Sequence, residues 1–429
     1  MGIAETLEYI HNVKWRGRKP GLSRTRELLD ALGSPDKSLR FVHIAGTNGK
    51  GSTAACIASV LRKAGYRTGL YTSPYIERFN ERMQIDGEHI PDAELVRLTG
   101  FARPFADAMA DSPTEFELIT AIAMRHFLDC ACDIVVLEVG LGGELDSTNI
   151  IDTPEVAVIT SIGYDHEKEL GPTLRDIAGA KAGIIKDGGD VVIYGGVPEV
   201  EEVFERVSAK RGARLHRADF SRISRLRLGL DGARFVFEPY GEIVLPLAGV
   251  YQPKNAAVAI TALEVLGEKG FGISAADIAE GLAAARWPGR FEALGRSPVF
   301  ILDGAHNPQG MEAAADSLRH IFGDRKIVFM VGVMADKEVD SMISQIAPLA
   351  DCFVAVRPDN PRSLDTRTLT QKLSRFGVSV TPCDTITDAV AEAIGRAGEG
   401  GIVCSLGSLY HSGAVRAAYF ALDYQRKSW

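Results

Sequence analysis

The stretch from Phe41 to Thr53 constrains this chain more than any other. An apolar segment of five residues comes first, and three glycines then follow within six residues. Glycines let the backbone turn tightly and aim several N–H groups at one anion, and Lys50 adds a mobile positive charge among them. Apolar residues recur at helical spacing over 52–64. The order strand, glycine-rich loop, helix therefore predicts a phosphate-binding turn.

This loop departs from the Walker A pattern at two positions. Gly51 separates Lys50 from Ser52, and Ile44 stands where the first glycine of the pattern belongs. A glycine-rich turn without a ligand, common in doubly wound proteins, is the alternative. The lysine favours an anion-binding loop, because its charge would otherwise be poorly solvated.

Length and composition bound the class of protein. A chain of 429 residues exceeds the size at which one core keeps growing, so we expect two domains, over residues 1–294 and 295–429. No apolar run is long enough to span a bilayer, which excludes a membrane span. The N-terminus lacks a basic region followed by an apolar core, so we expect no secretory signal and a cytoplasmic location.

The net charge and the cysteines limit the kinds of ligand and of thiol chemistry that we expect. The net charge of −8 argues against non-specific binding of nucleic acid and favours small anionic ligands. The six cysteines are scattered without a CxxC spacing, so reduced, buried thiols are expected. A basic connector at 14–21 is either an anion contact or a solvated loop, and charge alone favours the loop.

The fold predicted from the pattern is α/β. Buried strands at 67–72, 133–140, 155–162 and 190–194 alternate with helices, which predicts a doubly wound, P-loop ATPase-like domain. Alternating residues at about 205–247 predict a small added antiparallel sheet. Proline and glycine at 287–298 mark the best linker, and a second strand–helix series after it predicts a Rossmann-like C-terminal domain.

Two polar residues stand out near the ends of these strands. Glu138 lies within an apolar strand, where an unpaired carboxylate would cost several kcal/mol, so it must meet a cation or strong donors. Mg²⁺ and a structural ion pair are the two interpretations, and the position near the strand end favours the metal. His166 follows the next strand; a lone histidine is usually structural, but its place among these loops makes it a candidate metal ligand.

Eight segments, taken together, resemble the folylpolyglutamate synthase and dihydrofolate synthase family of the Mur ligase superfamily. They occur in the family's order and span nearly the whole chain. They are Gly46–Ser52, Thr72–Pro74 with Phe79–Arg82, Glu138–Gly143, Asp165–His166, Lys181–Lys186, Asn255–Ala257, Trp287–Arg290 and Asp303–Pro308.

The resemblance implies ATP and Mg²⁺ as cofactors, and it implies site residues of four kinds. The ATP contacts would be Thr47, Asn48, Gly49, Lys50, Gly51, Ser52, Asn255, Arg290 and Asp303. The Mg²⁺ ligands would be Ser73, Glu138 and His166. The catalytic residues would be Lys50, His306 near the γ-phosphate, and Lys181, which the family carbamylates. The pterin contacts would be Thr114, Glu115, Phe116, Glu117, Leu145, Asp146 and Ser147.

Two positions depart from the family's pattern. Tyr75 stands where histidine usually follows Ser-Pro, and Tyr251 replaces histidine ahead of Asn255. Both residues keep a ring but lose a group that titrates near neutral pH. Any role of these positions in proton transfer is therefore in doubt, while the phosphate and metal groups are intact.

The function implied is ATP-dependent amide ligation, in which L-glutamate is added to a folate or dihydropteroate carboxylate through an acyl phosphate. The partners would be these small molecules, with no nucleic acid and no membrane, and a monomer is expected. The alternatives are another Mur-type ligase acting on a UDP-sugar peptide precursor, a P-loop nucleotide-binding protein that ligates nothing, and an inactive binding relative.

Overall fold

The structure is a computed structural model that describes residues 2–13 and 21–427. The basic connector predicted at 14–21 thus falls, except for its last residue, outside the described residues. Within the described parts of the chain, no helix is long and apolar enough to cross a membrane. The α-helices are α1 Ile3–His11, α2 Ser23–Ala31, α3 Lys50–Lys63, α4 Asp92–Ala108, α5 Glu115–Asp129, α6 Glu167–Leu170, α7 Leu174–Ala182, α8 Pro198–Arg211, α9 Gln252–Glu268, α10 Ala275–Ala284, α11 Pro308–Phe322, α12 Val339–Ile346, α13 Thr366–Ser374, α14 Ile386–Ala397 and α15 Ser412–Lys427.

The strands belong to three sheets. They are β1 Phe41–Ala45, β2 Thr68–Tyr71, β3 Met83–Ile85, β4 Glu88–His89, β5 Ile134–Glu138, β6 Val156–Ile159, β7 Asp190–Ile193, β8 Arg214–Arg217, β9 Ile223–Gly229, β10 Gly232–Phe237, β11 Gly241–Leu245, β12 Glu292–Arg296, β13 Val299–Leu302, β14 Ile327–Val331, β15 Ala350–Ala355, β16 Ser379–Pro382 and β17 Ile402–Leu406.

The first sheet has the order β4-β3-β2-β5-β1-β6-β7-β8. In the sheet order from β2 to β8 the neighbouring strands are parallel, whereas the β2–β3 and β3–β4 pairs at one edge are antiparallel. Strands β1, β5 and β6 are buried along their whole length, as expected for a sheet covered on both faces. Strand β1 lies between β5 and β6, so the loops after these three strands share one crevice at their carboxyl ends.

The second large sheet has the order β12-β13-β17-β14-β15-β16, parallel except for the edge strand β12. Its strands alternate between two cores. Ile301 and Phe329 pack with α11 to α13 on one face, whereas Phe300 and Met330 pack with α14 and α15 on the other. This period-two alternation confirms the predicted second α/β sheet, with helices on both faces.

The antiparallel sheet predicted at about 205–247 is present but smaller than expected. Its order is β11-β10-β9. The part of the prediction before β9 is wrong: residues up to Arg211 end α8, and β8 pairs in parallel with β7 at the edge of the first sheet. An edge strand of a parallel sheet is half exposed, so its alternating sequence resembles that of an antiparallel strand.

The linker predicted at 287–298 is also wrong in part. Glu292–Arg296 forms β12, which pairs antiparallel with β13. Gly295 lies at a register irregularity in this ladder, and irregularities of this kind are where glycine is tolerated in a strand. Glycine and proline here therefore mark a bulged edge strand and the turn that follows it.

The chain forms two compact units. The first comprises Met1–Ile223, Phe237–Ile243 and Lys254–Ala285, and the second comprises Ser224–Val236, Val244–Pro253 and Arg286–Trp429. The predicted boundary between residues 294 and 295 stays a prediction.

Candidate functional site

The glycine-rich loop joins the end of β1 to the start of α3. Gly46 and Gly49 have φ of 151° and 89°, in the region that only glycine adopts without strain. A Cβ on Gly46 would overlap Thr160 Oγ1, and one on Gly49 would lie 2.6 Å from Asn255 Oδ1. The backbone of the loop is therefore fixed by close approach to two side chains, one of which is the predicted ATP contact Asn255.

Thr47 fastens this loop to the segment that follows β6. Its N–H donates to the Ser161 carbonyl at 2.9 Å, and its hydroxyl donates to the Gly163 carbonyl at 3.1 Å. The Gly163 N–H donates back to the same hydroxyl at 3.2 Å. Two loops at the carboxyl ends of adjacent strands are thus held together, as the doubly wound topology predicts.

Two lysines meet at one carbonyl of the loop. Lys50 Nζ donates to the Gly46 carbonyl at 3.1 Å and to the Thr47 carbonyl at 3.3 Å. Lys181 Nζ, at the end of α7, donates to the same Gly46 carbonyl at 2.8 Å. Burial, together with the charge of Lys50, lowers the pKa of Lys181 to about 7, against a smaller opposing effect of Asp165 and Asp146. The charge of Lys50 at this loop suits an anionic ligand, and the same charge disfavours the protonated form of Lys181.

The lowered pKa of Lys181 predicts a pH dependence of stability. Between pH 7 and the ordinary lysine pKa, the unfolded chain binds a proton that the folded chain lacks, so stability rises with pH. We expect the wild type to gain up to about 1.4 kcal/mol per pH unit over Lys181→Met above pH 7. Urea-denaturation midpoints at pH 7 to 9, in buffer free of CO₂, measure this difference.

Lys63 supplies the control for this experiment. It lies at the other end of α3, exposed and paired with Glu280 at 2.6 Å, and that partner raises its pKa. Lys63→Met should therefore keep the wild-type slope between pH 7 and 9. Equal slopes for the wild type and Lys181→Met would show that Lys181 titrates normally.

Glu138 and Ser73 come together at the carboxyl end of β5. The Ser73 N–H donates to Glu138 Oε2 at 3.2 Å, and Glu138 is only 4% exposed. A carboxylate and a hydroxyl are the hard oxygen ligands that Mg²⁺ prefers. The described residues contain no cluster of three His, Cys, Asp or Glu side chains that could hold a metal. This small donor set fits Mg²⁺, which usually takes one or two carboxylates and fills its shell with phosphates and water.

His166 lies at the start of α6 with φ of 54°. Its Nε2 is 3.8 Å from Asp165 Oδ1, and its Nδ1 is 3.9 Å from Glu169 Oε2. Its role as the third Mg²⁺ ligand stays a prediction.

The loop after β5 carries a buried carboxylate at Asp146. Its oxygens accept hydrogen bonds from the Leu141 N–H at 2.9 Å and from the Thr148 hydroxyl at 2.5 Å. Burial raises the pKa of Asp146, against these hydrogen bonds. Asp146 therefore shapes the loop, and its neighbours differ in exposure: Ser147 is buried with its hydroxyl 3.0 Å from Thr120 Oγ1, whereas Leu145 is 47% exposed.

The predicted pterin segment at 114–117 opens α5. Thr114 is the N-cap, and its hydroxyl and the Glu117 carboxylate form a capping box. Arg24 binds the same carboxylate through two nitrogens, at 3.1 and 2.8 Å, and both side chains are buried. Glu117 is thus fully engaged within the protein. Phe116 packs against Gly140, where a Cβ would lie 2.5 Å from its ring.

The second unit gathers Arg290, Asp303 and His306. Asp303 is 3% exposed and accepts hydrogen bonds from the Phe291 N–H at 2.7 Å and the Ala305 N–H at 2.8 Å. The Arg290 guanidinium occupies the space that a side chain at Gly304 would need. His306 Nδ1 lies 2.8 Å from the Gly304 carbonyl, which only accepts, so Nδ1 carries the proton.

Tyr251 supplies a third donor to Asp303, with its hydroxyl 3.2 Å from Oδ2. Replacing it by phenylalanine leaves two backbone donors, so Tyr251→Phe should destabilise the protein by about 1–2 kcal/mol. Urea denaturation measures this loss. Tyr410, 51% exposed, is the control, and Tyr410→Phe should change nothing. Equal stability of the two variants would contradict a structural role for the Tyr251 hydroxyl.

Some residues of this site were not predicted from the sequence. Arg24 lies 93 residues before its partner Glu117, and no local pattern links the two. Tyr71 and Thr120 connect β2 to Ser147 through hydroxyl contacts of 3.1 and 3.0 Å. Only the family resemblance, through the predicted pterin contacts at 114–117 and 145–147, pointed to this part of the molecule.

Comparison with known proteins gives matches over both units. A family model described as "Mur ligase middle domain" matches residues 44–263, and one described as "Mur ligase, glutamate ligase domain" matches residues 289–409. The folylpolyglutamate synthase of Lacticaseibacillus casei is 39% identical over 377 residues, which cover 85% of this chain and 87% of that protein. The dihydrofolate synthase/folylpolyglutamate synthase of Bacillus subtilis is 37% identical over 96% of this chain and 98% of that protein.

A solved structure matches the fold as a whole. The Mycobacterium tuberculosis folylpolyglutamate synthase complexed with ADP superposes with a TM-score of 0.91 at 33% sequence identity. The match covers 97% of this chain and 98% of that one.

Proposed function

Because the chain belongs to the folylpolyglutamate synthase/dihydrofolate synthase family of Mur ligases, whose members are ATP-dependent ligases, we propose that it joins L-glutamate to a folate or dihydropteroate carboxylate. The acceptor carboxylate attacks the γ-phosphate of ATP and forms an acyl phosphate with release of ADP. The amine of glutamate then attacks the acyl carbon, and phosphate leaves from the tetrahedral intermediate. An amide bond is the product.

One observation supports this proposal most directly: Lys50 and Lys181 both donate to the carbonyl of Gly46, at the mouth of a glycine-rich loop. Bringing ATP, a carboxylate and an acyl phosphate together concentrates negative charge. The Lys50 cation and the N-terminal N–H groups of α3 offset that charge where it develops. We assign Thr47 to Ser52 and Asn255, which lies against Gly49, to the nucleotide.

Mg²⁺ would be held by Glu138 and Ser73, with His166 as the proposed third ligand. When it is bound, the ion acts as a Lewis acid at the phosphate oxygens. The Ser73 N–H orients the Glu138 carboxylate through its 3.2 Å contact.

Lys181 is the proposed site of carbamylation. Carbamylation needs a neutral amine, and with a pKa of about 7 roughly half of this amine is neutral at neutral pH. An ordinary buried lysine that only donates to Gly46 is the alternative. Protein equilibrated with isotope-labelled bicarbonate distinguishes the two, because only the first would show a labelled carbamate that Lys181→Met lacks.

In the second unit we assign Arg290 and Asp303 to the nucleotide and His306 to the phosphate region. Arg290 offers the positive charge. Asp303 fixes the loop that carries His306, through its bonds to Phe291 and Ala305. The proton on Nδ1 leaves Nε2 of a neutral His306 as the acceptor atom.

The acceptor would contact the segments at 114–117 and 145–147. Leu145 offers an exposed apolar side chain and Phe116 an aromatic ring, which suit a flat heterocycle. The partners proposed are small molecules alone. A monomer in the cytoplasm is our expectation, and sedimentation of the purified chain tests its oligomeric state.

ADP release tests the proposed function. We expect release that depends on both L-glutamate and a pteroyl acceptor, with dihydropteroate and tetrahydrofolate assayed separately. ATP cleavage stimulated by a UDP-sugar peptide instead would favour another Mur-type ligase. Turnover that never depends on the two co-substrates would exclude ligation.

A further inference from the structure

Arg82 is a buried arginine without an anionic partner. It ends the 3₁₀ turn Phe79–Arg82 and is 9% exposed. The guanidinium carbon lies 5.1 Å from the centre of the Tyr75 ring and 5.5 Å from that of Phe79. Its Nε is buried without a hydrogen-bond partner, and over residues 2–13 and 21–427 no carboxylate pairs with the guanidinium.

The acidic side chains of the same segment are engaged elsewhere. Both oxygens of Glu81 accept hydrogen bonds from backbone N–H groups, at 2.7 Å from Ile76 and 2.9 Å from Glu77. Asp92 accepts hydrogen bonds at 2.9 Å from both Arg78 and Asn80. The carboxylates of Glu81 and Asp92 thus bind backbone N–H groups and other side chains of this region, and neither binds Arg82.

An arrangement of this kind is costly unless something else pairs with the cation. A guanidinium stays charged under all ordinary conditions, and burial removes the water that would solvate it. The faces of two aromatic rings offset part of that loss. The N–H fork of a guanidinium matches the two oxygens of a carboxylate.

The position of Arg82 connects it to the proposed site. Its carbonyl accepts from the Thr72 N–H at 3.0 Å, beside Ser73 and hence beside Glu138. In the β2–β3 ladder its neighbour Met83 pairs with Tyr71. Tyr71 reaches Thr120, which contacts Ser147, and its ring lies 6.0 Å from that of Phe116. The backbone of Arg82 therefore adjoins Thr72, next to the predicted metal ligand Ser73, and Tyr71 leads from the same ladder to the predicted pterin contacts Phe116 and Ser147.

We propose that Arg82 binds a carboxylate of the acceptor substrate, with its guanidinium held against the rings of Tyr75 and Phe79. The inference rests on the proposed function, because a pteroyl acceptor always carries a carboxylate. Dihydropteroate has only the carboxylate that reacts, whereas a folate has two on its terminal glutamate, one that reacts and one that does not. This also gives Tyr75, which departs from the family's pattern, a role as a ring that orients Arg82.

Steady-state kinetics of Arg82→Met and Arg82→Lys test the proposal. We expect Arg82→Met to raise the KM of the acceptor about 10–100-fold, the loss typical of a charge-assisted hydrogen bond. Arg82→Lys should keep the charge and recover part of that loss. The KM values of ATP and glutamate should not change. A rise for tetrahydrofolate alone would identify the glutamate carboxylate that does not react, and a rise for both acceptors would identify the reacting one.

Arg78 is the matched control. It lies in the same segment, exposed, with Asp92 as its surface partner. Arg78→Met should leave every KM at the wild-type value. If Arg82→Met lowers the melting temperature but not the affinity for either acceptor, Arg82 is a packing residue and the inference is overturned.

A binding measurement on the wild type covers the case in which the Arg82 variants fail to fold. Calorimetry compares folic acid with its carboxamide analogues, in which each carboxylate is amidated separately. At least one amide should bind about 10–100-fold more weakly. Equal binding of acids and amides would overturn the inference. Because this assay needs no turnover, its outcome is separate from a failure of the wild type to release ADP, which would defeat the proposed function.

Discussion

Lys50→Ala should lower acceptor-dependent ADP release by about 10²–10³-fold, the loss seen when one group that stabilises transition-state charge is removed. The fold should persist, since Lys50 Nζ donates only to the carbonyls of Gly46 and Thr47, and bonds of this kind contribute about 1 kcal/mol each. Removing its charge should also raise the pKa of Lys181, which Lys50 helps to lower.

The control for this variant is Lys63→Ala, at the exposed end of the same helix. It should retain wild-type turnover, while melting temperatures and circular dichroism report the integrity of both variants. Wild-type turnover by Lys50→Ala would remove Lys50 from the proposed catalytic group.

Glu138→Gln should lower ADP release by about 100-fold and raise the Mg²⁺ concentration needed for half-maximal turnover. Glutamine keeps the shape of the side chain and an oxygen that accepts from the Ser73 N–H, but it loses the charge that binds a cation. Because a buried carboxylate is costly to desolvate, the variant should be no less stable than the wild type. Titrations of ADP release with Mg²⁺ measure the effect.

Glu144→Gln serves as the comparison, since Glu144 is an exposed carboxylate in the loop after the same strand. Its Mg²⁺ dependence should match that of the wild type. An unchanged Mg²⁺ dependence in Glu138→Gln would mean that the carboxylate has a structural role, which is the alternative open from the sequence.

Local patterns in the sequence predicted local structure well. The predicted strands at 133–140 and 155–162 contain β5 and β6, and the helical spacing over 52–64 belongs to α3. The errors concern the edges of the sheets, where part of a predicted antiparallel strand region is helix α8 and part of the predicted linker is strand β12. Strand β8 pairs in parallel and β12 pairs antiparallel, and neither choice follows from the residues of the strand itself. Strand pairing depends on segments that are distant in the chain, so alternation alone cannot decide it.

The candidate site shows the same division. The glycines of the loop and Lys50 lie within six residues of one another. The tight turn that they predict is present, with positive φ at Gly46 and Gly49. The contact of Lys181 with Gly46 spans 135 residues, and no spacing in the sequence measures it. The resemblance to the family pointed to Lys181, but only the fold shows which atoms surround its amine.

The sequence by itself determined the order of strand, glycine-rich loop and helix, because backbone conformation depends on the residues of the segment itself. It also determined the fold class, since the alternation of buried strands and helices admits few topologies. Only the tertiary structure decided the electrostatic state of the site. The lowered pKa of Lys181, the three donors on Asp303 and the unpaired cation of Arg82 arise from burial and from groups far apart in the chain. Such effects depend on distance and desolvation, which exist only once the chain has folded.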